Sequence, residues 1–309
     1  MEPPVAANSP VESEHLTVVE MMQAYGTEDA CHEALEELRW PNGVECPKCS
    51  SRAISRIRAR RQYDCNKCRH QFSVRVGTIF HDSHLPLSKW FVAVYMMCES
   101  KKGISANQIK RMLGVSYKTA WYLCHRIRAA MKNAAAPMLS GTVEVDETWI
   151  GGKRRNVGRG YKRDKTMVLG AVARGGEVRF KVATRRDKNT LHTFIKSVVA
   201  DDTDAIHTDE WNAYDGIADG NTRHETVNHS ADEWVRADVH TNTVEGVWSL
   251  FKRSIVGSYH QLSAKHMDSY LDEMAFRFNN RANPYLFRDT LMKLIHSENL
   301  PYSQLISED

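Results

Sequence analysis

Three acidic side chains fall where they could meet. Asp146 lies in Thr142-Val-Glu-Val-Asp-Glu-Thr-Trp149, which alternates apolar and polar residues at its start and predicts a strand. Asp209 closes Asp204-Ala-Ile-His-Thr-Asp209, a short strand with the acid at its C-terminal end. Glu245 lies in Asn242-Thr-Val-Glu-Gly-Val-Trp-Ser-Leu-Phe-Lys252, which reads as a helix. Acids at the ends of two strands and on a helix can converge on one point. Converging carboxylates are hard oxygen ligands that suit Mg²⁺ or Mn²⁺. Two such ions about 4 Å apart activate a nucleophile and stabilise the leaving oxygen of a phosphodiester. Taken one at a time, the same acids also suit strand ends and a solvated helix face.

The helix sharpens the reading. At about 100° per residue, Asn242, Glu245, Ser249 and Lys252 share one narrow stripe. Val244, Val247, Trp248, Phe251 and Ile255 form a separate apolar stripe. One side can be buried while the flank presents an acid and, two turns on, a cation suited to a phosphate.

A second constellation is made of sulfur. Cys46-Pro-Lys-Cys49 and Cys65-Asn-Lys-Cys68 are two C-x2-C knuckles with fifteen residues between them. This spacing fits a four-thiolate Zn²⁺ site, which is structural because four thiolates leave no open position. Nothing around either pair resembles a βαβ unit, which argues against a redox role. Arg52, Arg56, Arg58, Arg60 and Arg61 lie on the segment between the knuckles. They suit phosphate contacts or a solvated face equally. His81 and His84 read as loop histidines, Cys98 and Cys124 as packing residues, and Cys31 has no ligand-like context.

The remaining elements must position these groups. Leu87–Cys98 reads as a core helix. Ser105 to Met131 has the layout of a helix-turn-helix. Ile109, Met112 and Leu113 form one apolar face, Gly114-Val115 a turn, and Ala120, Leu123, Cys124 and Ile127 the inner side of the next helix. Tyr117, Lys118, Tyr122 and Arg126 are its candidate outward residues for DNA, and a plain helical hairpin is the alternative. Ala134 to Gly141 reads as a linker. After the Asp146 strand comes a cation-rich loop holding Lys153, Arg154, Arg155, Arg159, Lys162, Arg163 and Lys165. Two strands joined at Gly175-Gly176, a helix striped by Leu191, Phe194, Ile195, Val198 and Val199, and the Asp209 strand follow. Strands, hairpin, helix, strand and helix, with acids at these places, match the ribonuclease-H-like α/β fold.

The whole chain has 309 residues, 42% of them hydrophobic and 26% charged, which sets aside a disordered or fibrous protein. A net charge of +4 permits a nucleic-acid partner without requiring one. The odd count of seven cysteines argues against a secreted disulfide framework. No apolar run is long enough for a membrane span, and no signal peptide is evident. The expectation is a cytoplasmic protein. Its divisions are a weakly ordered stretch at 1–27, a zinc ribbon at 28–80 and a helix-turn-helix region at 85–133. A catalytic domain at 140–290 and a tail at 291–309 complete it.

These strings carry a likeness. The chain resembles the DDE transposases of bacterial insertion sequences, in the group with an N-terminal zinc ribbon and an ISXO-like integrase domain. The likeness spans about residues 28–290 and rests on both knuckles, Val76-Gly-Thr-Ile-Phe80, Val143 to Lys153, His207 to Tyr214, His240 to Lys252 and Tyr270 to Asn279. It implies that Asp146, Asp209 and Glu245 form the acidic triad, with Lys252 the basic residue seven positions on. Asn242 matches an asparagine that some members count as the third triad residue, so the choice between Asn242 and Glu245 stays open, with glutamate the stronger ligand for a hard dication.

The resemblance further implies an enzyme that cuts DNA at terminal inverted repeats and joins the 3′ ends to target DNA. Mg²⁺ or Mn²⁺ would sit at the carboxylates, double-stranded DNA would be the partner, and a homo-oligomer would assemble on it. The ribbon arginines Arg58, Arg60 and Arg61, the helix residues Tyr117, Lys118 and Arg126, and the loop residues Lys153, Arg154, Arg155, Lys162 and Arg163 would touch DNA. Two other readings stand beside it: a DNA-binding regulator without catalysis, and a ribonuclease-H-like nuclease that cuts without joining.

Overall fold

The computed structural model describes residues 15–133, 135–151, 165–218, 222–228, 233 and 235–307. The chain divides into two compact units: residues 1–131 with 282–309, and residues 132–281.

The first unit begins with α1 (Val18–Tyr25), inside the stretch expected to be weakly ordered. Thr17 and Glu20 form a reciprocal capping box there, and Met21 and Tyr25 are buried. Helix α2 (Glu28–Arg39) is capped by the Thr27 hydroxyl. Three short antiparallel strands follow: β1 (Ile54–Ile57), β2 (Gln62–Cys65) and β3 (Gln71–Phe72). Tyr63 and Phe72 pack with Trp40 beneath the cysteines. Between His70 and Phe80, a stretch whose sequence reads as a strand leaving the ribbon, only β3 is strand. Beyond it the chain turns, because Arg39 takes the carbonyls of Val74 and Val76 at 2.6 and 2.8 Å in place of a neighbouring strand. Then come α3 (Leu87–Glu99), α4 (Ala106–Leu113) and α5 (Tyr117–Met131). Gly114 ends α4 at φ +62°, a left-handed position that makes the tight turn between the helices.

The second unit holds a five-stranded sheet in the order β6-β5-β4-β7-β8. Its strands are β4 (Thr142–Ile150), β5 (Thr166–Ala173), β6 (Val178–Ala183), β7 (Ala205–Asp209) and β8 (Arg223–Val227). Strands β4, β5 and β6 pair antiparallel, and β7 pairs parallel with both β4 and β8. With α6 (Lys188–Val198) crossing between β6 and β7, this is the ribonuclease-H-like topology. Period-two alternation sorts the faces. Val143, Val145, Leu169 and Ala171 meet Leu191, Phe194 and Ile195 of α6. Val168, Val172 and Val178 meet α7 (Asn242–Ser254) and α8 (Met267–Asn279) through Val244, Val247, Trp248, Phe251, Leu271 and Met274.

Residues after 281 return to the first unit. The expected domain end and tail instead hold α9 (Leu286–His296), which spans the 290/291 boundary, and α10 (Tyr302–Ile306). Phe287, Leu291, Leu294 and Ile295 give α9 a buried face, and Tyr25, Phe91 and Tyr95 ring Phe287. Among the described residues, no helix is long and apolar enough to cross a membrane.

Gly170 on β5 lies opposite Asp146, and Trp248 of α7 packs onto its bare backbone. A Cβ built there would come within 2.5 Å of the indole ring. Gly170→Ala should therefore destabilise the protein by roughly 1–3 kcal/mol through overpacking. Urea unfolding would measure the change, and an unaltered midpoint would show that Trp248 is not seated there.

Candidate active site

Alternation along β4 turns Glu144, Asp146 and Thr148 away from α6 and toward α7. On the parallel neighbour, Glu144 lies opposite His207. Two residues further along each strand stand Asp146 and Asp209, so the two aspartates share a face. Trp248 donates its indole N–H to Asp146 Oδ2 at 2.9 Å, and the Trp211 backbone N–H donates to Asp209 Oδ1 at 3.1 Å.

A third carboxylate joins them. Asp146, Glu147 and Asp209 each offer an oxygen, all within 4.8 Å of one another. Glu147 arrives from the opposite face of β4. Tyr214 donates its hydroxyl to Oε2 at 2.9 Å, and Arg186 donates to Oε1 at 3.3 Å. The Arg186 guanidinium also lies over the Trp211 ring, 4.2 Å from its centre. Sequence reading missed Glu147. Its adjacency to Asp146 was visible, but alternation assigns the two residues to opposite faces.

Burial pushes the Asp146 carboxyl up from its ordinary 3.8 to about 7, and the charges of Glu147 and Asp209 push the same way. Burial also raises Glu147, against the opposing effect of the Tyr214 hydroxyl. The Tyr214 phenol is raised well above its ordinary value by burial and by the three acids. A group of acids that resists ionising together is a place where a cation would be held.

Helix α7 forms the opposite wall of a cleft of about 580 Å³, lined by Asp146, Glu147, Glu245, Ser249 and Lys252 among others. Glu245 is exposed there, and Thr241 donates its hydroxyl to Oε1 at 3.1 Å. Lys252 is exposed two turns on, on the same stripe. Asn242 is exposed in the first turn of α7 and is not among the lining residues.

The four cysteines of the ribbon come together. Cys46 and Cys68 Sγ are 3.6 Å apart, as are Cys49 and Cys65. A tetrahedral Zn²⁺ with bonds near 2.3 Å separates its sulfurs by about 3.8 Å. The two knuckles are built alike. Cys46 O accepts from Ser50 N–H, and Cys65 O from Arg69 N–H. Cys46 N–H donates to Ser51 O, and Cys65 N–H to His70 O, each at 3.0 Å. Ser50 and Arg69 both hold positive φ, at 53° and 57°. Backbone N–H groups of Cys68 and Lys67 aimed at Cys65 lower its thiol to about 6.

Residues expected to touch DNA divide. Arg58 and Arg60 are exposed on the ribbon, and exposed Arg61 pairs with Asp29 at 2.5 Å. Tyr117 and Lys118 are exposed in the first turn of α5, with the Lys118 ammonium 4.4 Å from the Tyr302 ring centre. Arg126 is corrected: it is buried, and its guanidinium donates to the carbonyls of Ile79 and His81 and to Asn299. Tyr122 likewise donates its hydroxyl to Leu300 O. Lys153, Arg154, Arg155, Lys162 and Arg163 lie outside the described residues.

Two known domain families match parts of the chain. Residues 138–279 match the ISXO2-like transposase domain, and residues 26–71 match the transposase zinc-ribbon domain. A curated relative, an uncharacterised protein of the transposable element ISH50 from Halobacterium salinarum, is 34% identical over 242 residues. That match covers 71% of this chain and 80% of the relative. The chain belongs to the ISXO2-like transposases with an N-terminal transposase zinc ribbon. Solved structures with distant likeness include a simian T-cell lymphotropic virus intasome bound to PP2A regulatory subunit B56 gamma, at 16% identity and TM-score 0.33, covering 69% of this chain and 74% of that one. A pre-cleavage Mos1 transpososome matches at 12% identity and TM-score 0.28, covering 66% and 75%.

The raised Asp146 carboxyl has a consequence for stability. The folded state holds this proton more tightly than the unfolded chain does. The resulting stabilisation is full below about pH 4 and is lost as pH climbs through about 7. Asp146→Asn removes the charge, so in EDTA at pH 8 it should raise the unfolding free energy by an amount of order 1 kcal/mol or more, and Tm with it. The gain should shrink toward pH 4. A lower Tm than wild type at pH 8 would contradict the burial and repulsion described.

Proposed function

We propose that this chain cuts DNA at the ends of its own mobile element and transfers the freed 3′ hydroxyls to target DNA. The observation that carries the reading is the meeting of Asp146 and Asp209 on one sheet face, with Asp146 also lining a cleft whose far wall is the Glu245–Lys252 stripe of α7. Asp146, Asp209 and Glu245 would hold Mg²⁺ or Mn²⁺, with Glu147 a further carboxylate within reach of the first two. Ions bound there supply Lewis-acid activation of the attacking oxygen and stabilisation of the leaving one.

The rest is done by side chains. Trp248 fixes the plane of the Asp146 carboxylate through Oδ2 and leaves Oδ1 directed by the same bond. Thr241 orients Glu245, and Lys252 meets a backbone phosphate entering the cleft. Water is the nucleophile of the first step and a 3′ hydroxyl of the second, so no serine or tyrosine nucleophile is required. Joining two element ends calls for at least two copies of the chain on DNA.

In the ribbon, Cys46, Cys49, Cys65 and Cys68 would bind one structural Zn²⁺. The exposed Arg58 and Arg60, with Tyr117 and Lys118 at the start of α5, form the DNA-facing set in the first unit, and affinity should fall steeply with salt. Metal analysis of purified protein should find about one zinc per chain, lost together with ribbon folding in Cys65→Ser. Retention of zinc in that variant would reject the site.

Catalysis is tested with a labelled terminal inverted repeat and Mg²⁺ or Mn²⁺. Asp209→Ala should abolish both cleavage and strand transfer, and Glu245→Gln should reduce both by at least about a hundredfold. Glu147→Gln should reduce them less, because its oxygens already serve Tyr214 and Arg186. Activity surviving in Asp209→Ala would sink the assignment. Cleaved but unjoined ends in wild type would mark a nuclease instead, and tight binding with no cleavage a regulator.

A further inference from the structure

Helix α7 lacks a cap of its own. Thr241, at its N-cap, gives no side-chain cap to the backbone N–H groups of the first turn and instead turns its hydroxyl to the Glu245 side chain. The first N–H groups of a helix must be satisfied elsewhere when buried. Here the acceptor comes from a distant strand. Glu144 of β4, wholly buried, takes the Thr243 and Val244 N–H groups on Oε2 at 2.7 and 3.0 Å. Its Oε1 takes the Thr243 hydroxyl at 2.8 Å and Arg174 Nε at 2.7 Å. The other nitrogens of Arg174 donate to Asp238 O and His240 O and approach His207 Nδ1. One carboxylate and one guanidinium thus clasp the strand, the loop before α7 and the helix start.

The clasp has a register. Glu144 and Asp146 are two residues apart on a strand, about 6.6 Å. Val244 and Trp248 are four apart on a helix, about 6 Å. Glu144 holds the helix at Val244, and Asp146 receives Trp248 one turn later. The matched rise lays α7 along β4, so that Glu245, Ser249 and Lys252 face the cleft.

We propose that Glu144 is a positioning residue, a remote N-cap that sets α7 against the acid-bearing strand and so fixes Glu245 and the Trp248–Asp146 bond in the metal-binding arrangement. The assignment rests on the reading of Asp146, Asp209 and Glu245 as metal ligands. A carboxylate is required rather than an amide. Both oxygens already receive donors, so the NH₂ of a glutamine would face an N–H or a guanidinium whichever way it turned.

The test compares Glu144→Gln with wild type in the full chain, using Mn²⁺ alone as the probe. Mn²⁺ affinity would be read by electron paramagnetic resonance, and protection of the Thr243 and Val244 amides by hydrogen exchange in EDTA. The expected result is a loss of Mn²⁺ affinity of at least about tenfold, the scale for groups that orient metal ligands. Faster exchange confined to the first turns of α7 should accompany it. Asn279→Ala, which removes a bond between α8 and the Val178 N–H, serves as the structural control. It should lower Tm and leave Mn²⁺ affinity unchanged. Unchanged Mn²⁺ affinity or unchanged exchange in Glu144→Gln would overturn the proposal, as would an equal affinity loss in Asn279→Ala. Should Glu144→Gln not fold, Arg174→Lys gives the same two readouts with the carboxylate kept. Wild-type Mn²⁺ binding that survives Asp146→Asn would instead reject the ligand reading, and the amide exchange of α7 would then decide the capping role by itself.

Discussion

Like charges at close range govern the second unit. Asp146, Glu147 and Asp209 bring carboxylate oxygens within 4.8 Å of each other, in surroundings dry enough to lift Asp146 to about 7. A fold gains nothing in stability from such a grouping; without a cation it works against the folded state. The sheet tolerates it because β4 and β7 are pinned by their own ladder and by apolar layers on both faces. The helix opposite is pinned as well, by a buried acid at its start and an indole one turn later. Rigid elements holding mutually repelling carboxylates would suit a divalent-metal phosphodiester site, since binding a cation would relieve the repulsion.

The two units divide the work of a transposase in chemical terms. The first is a helical body around a thiolate ribbon, with short polar elements and arginines at its surface. Its strands are too short to stand by themselves, and a zinc ion held by the paired knuckles would supply the cross-link that a small sheet lacks. The second has a large apolar interior and gathers its acids on β4 and β7, inside the sheet. Gly170 is where these demands meet, since removal of its side chain makes the space that lets Trp248 reach Asp146.

Much of this was legible in the residues. Period-two alternation placed Asp146 on a strand, and a 3.6-residue period separated the Glu245 stripe from the buried face of α7. The knuckle spacing alone announced four converging thiolates. Glu144 was also legible in principle, because Val143 and Val145 face α6 and leave the acid between them on the side of Asp146. Other features were not. Glu147 reaches the aspartates by a side-chain path that alternation does not describe. Arg126 reads as an outward cation on a helix, yet it is buried because carbonyls from a turn far back in the chain accept its N–H groups. The stripe of α9 was readable, but its partners lie in helices far earlier in the chain, and no local pattern reports such a return. Pairing between distant segments decides all three cases.

The most direct measurement is a crystal structure of the protein grown with Mn²⁺ and an element-end duplex, with data collected at the manganese absorption edge. The anomalous map should show manganese against Asp146 and Asp209, with Glu245 or Glu147 completing the ligands and a backbone phosphate beside it. A map with no manganese between the two aspartates, or with manganese only elsewhere on the chain, would contradict the proposal that these carboxylates are the catalytic centre.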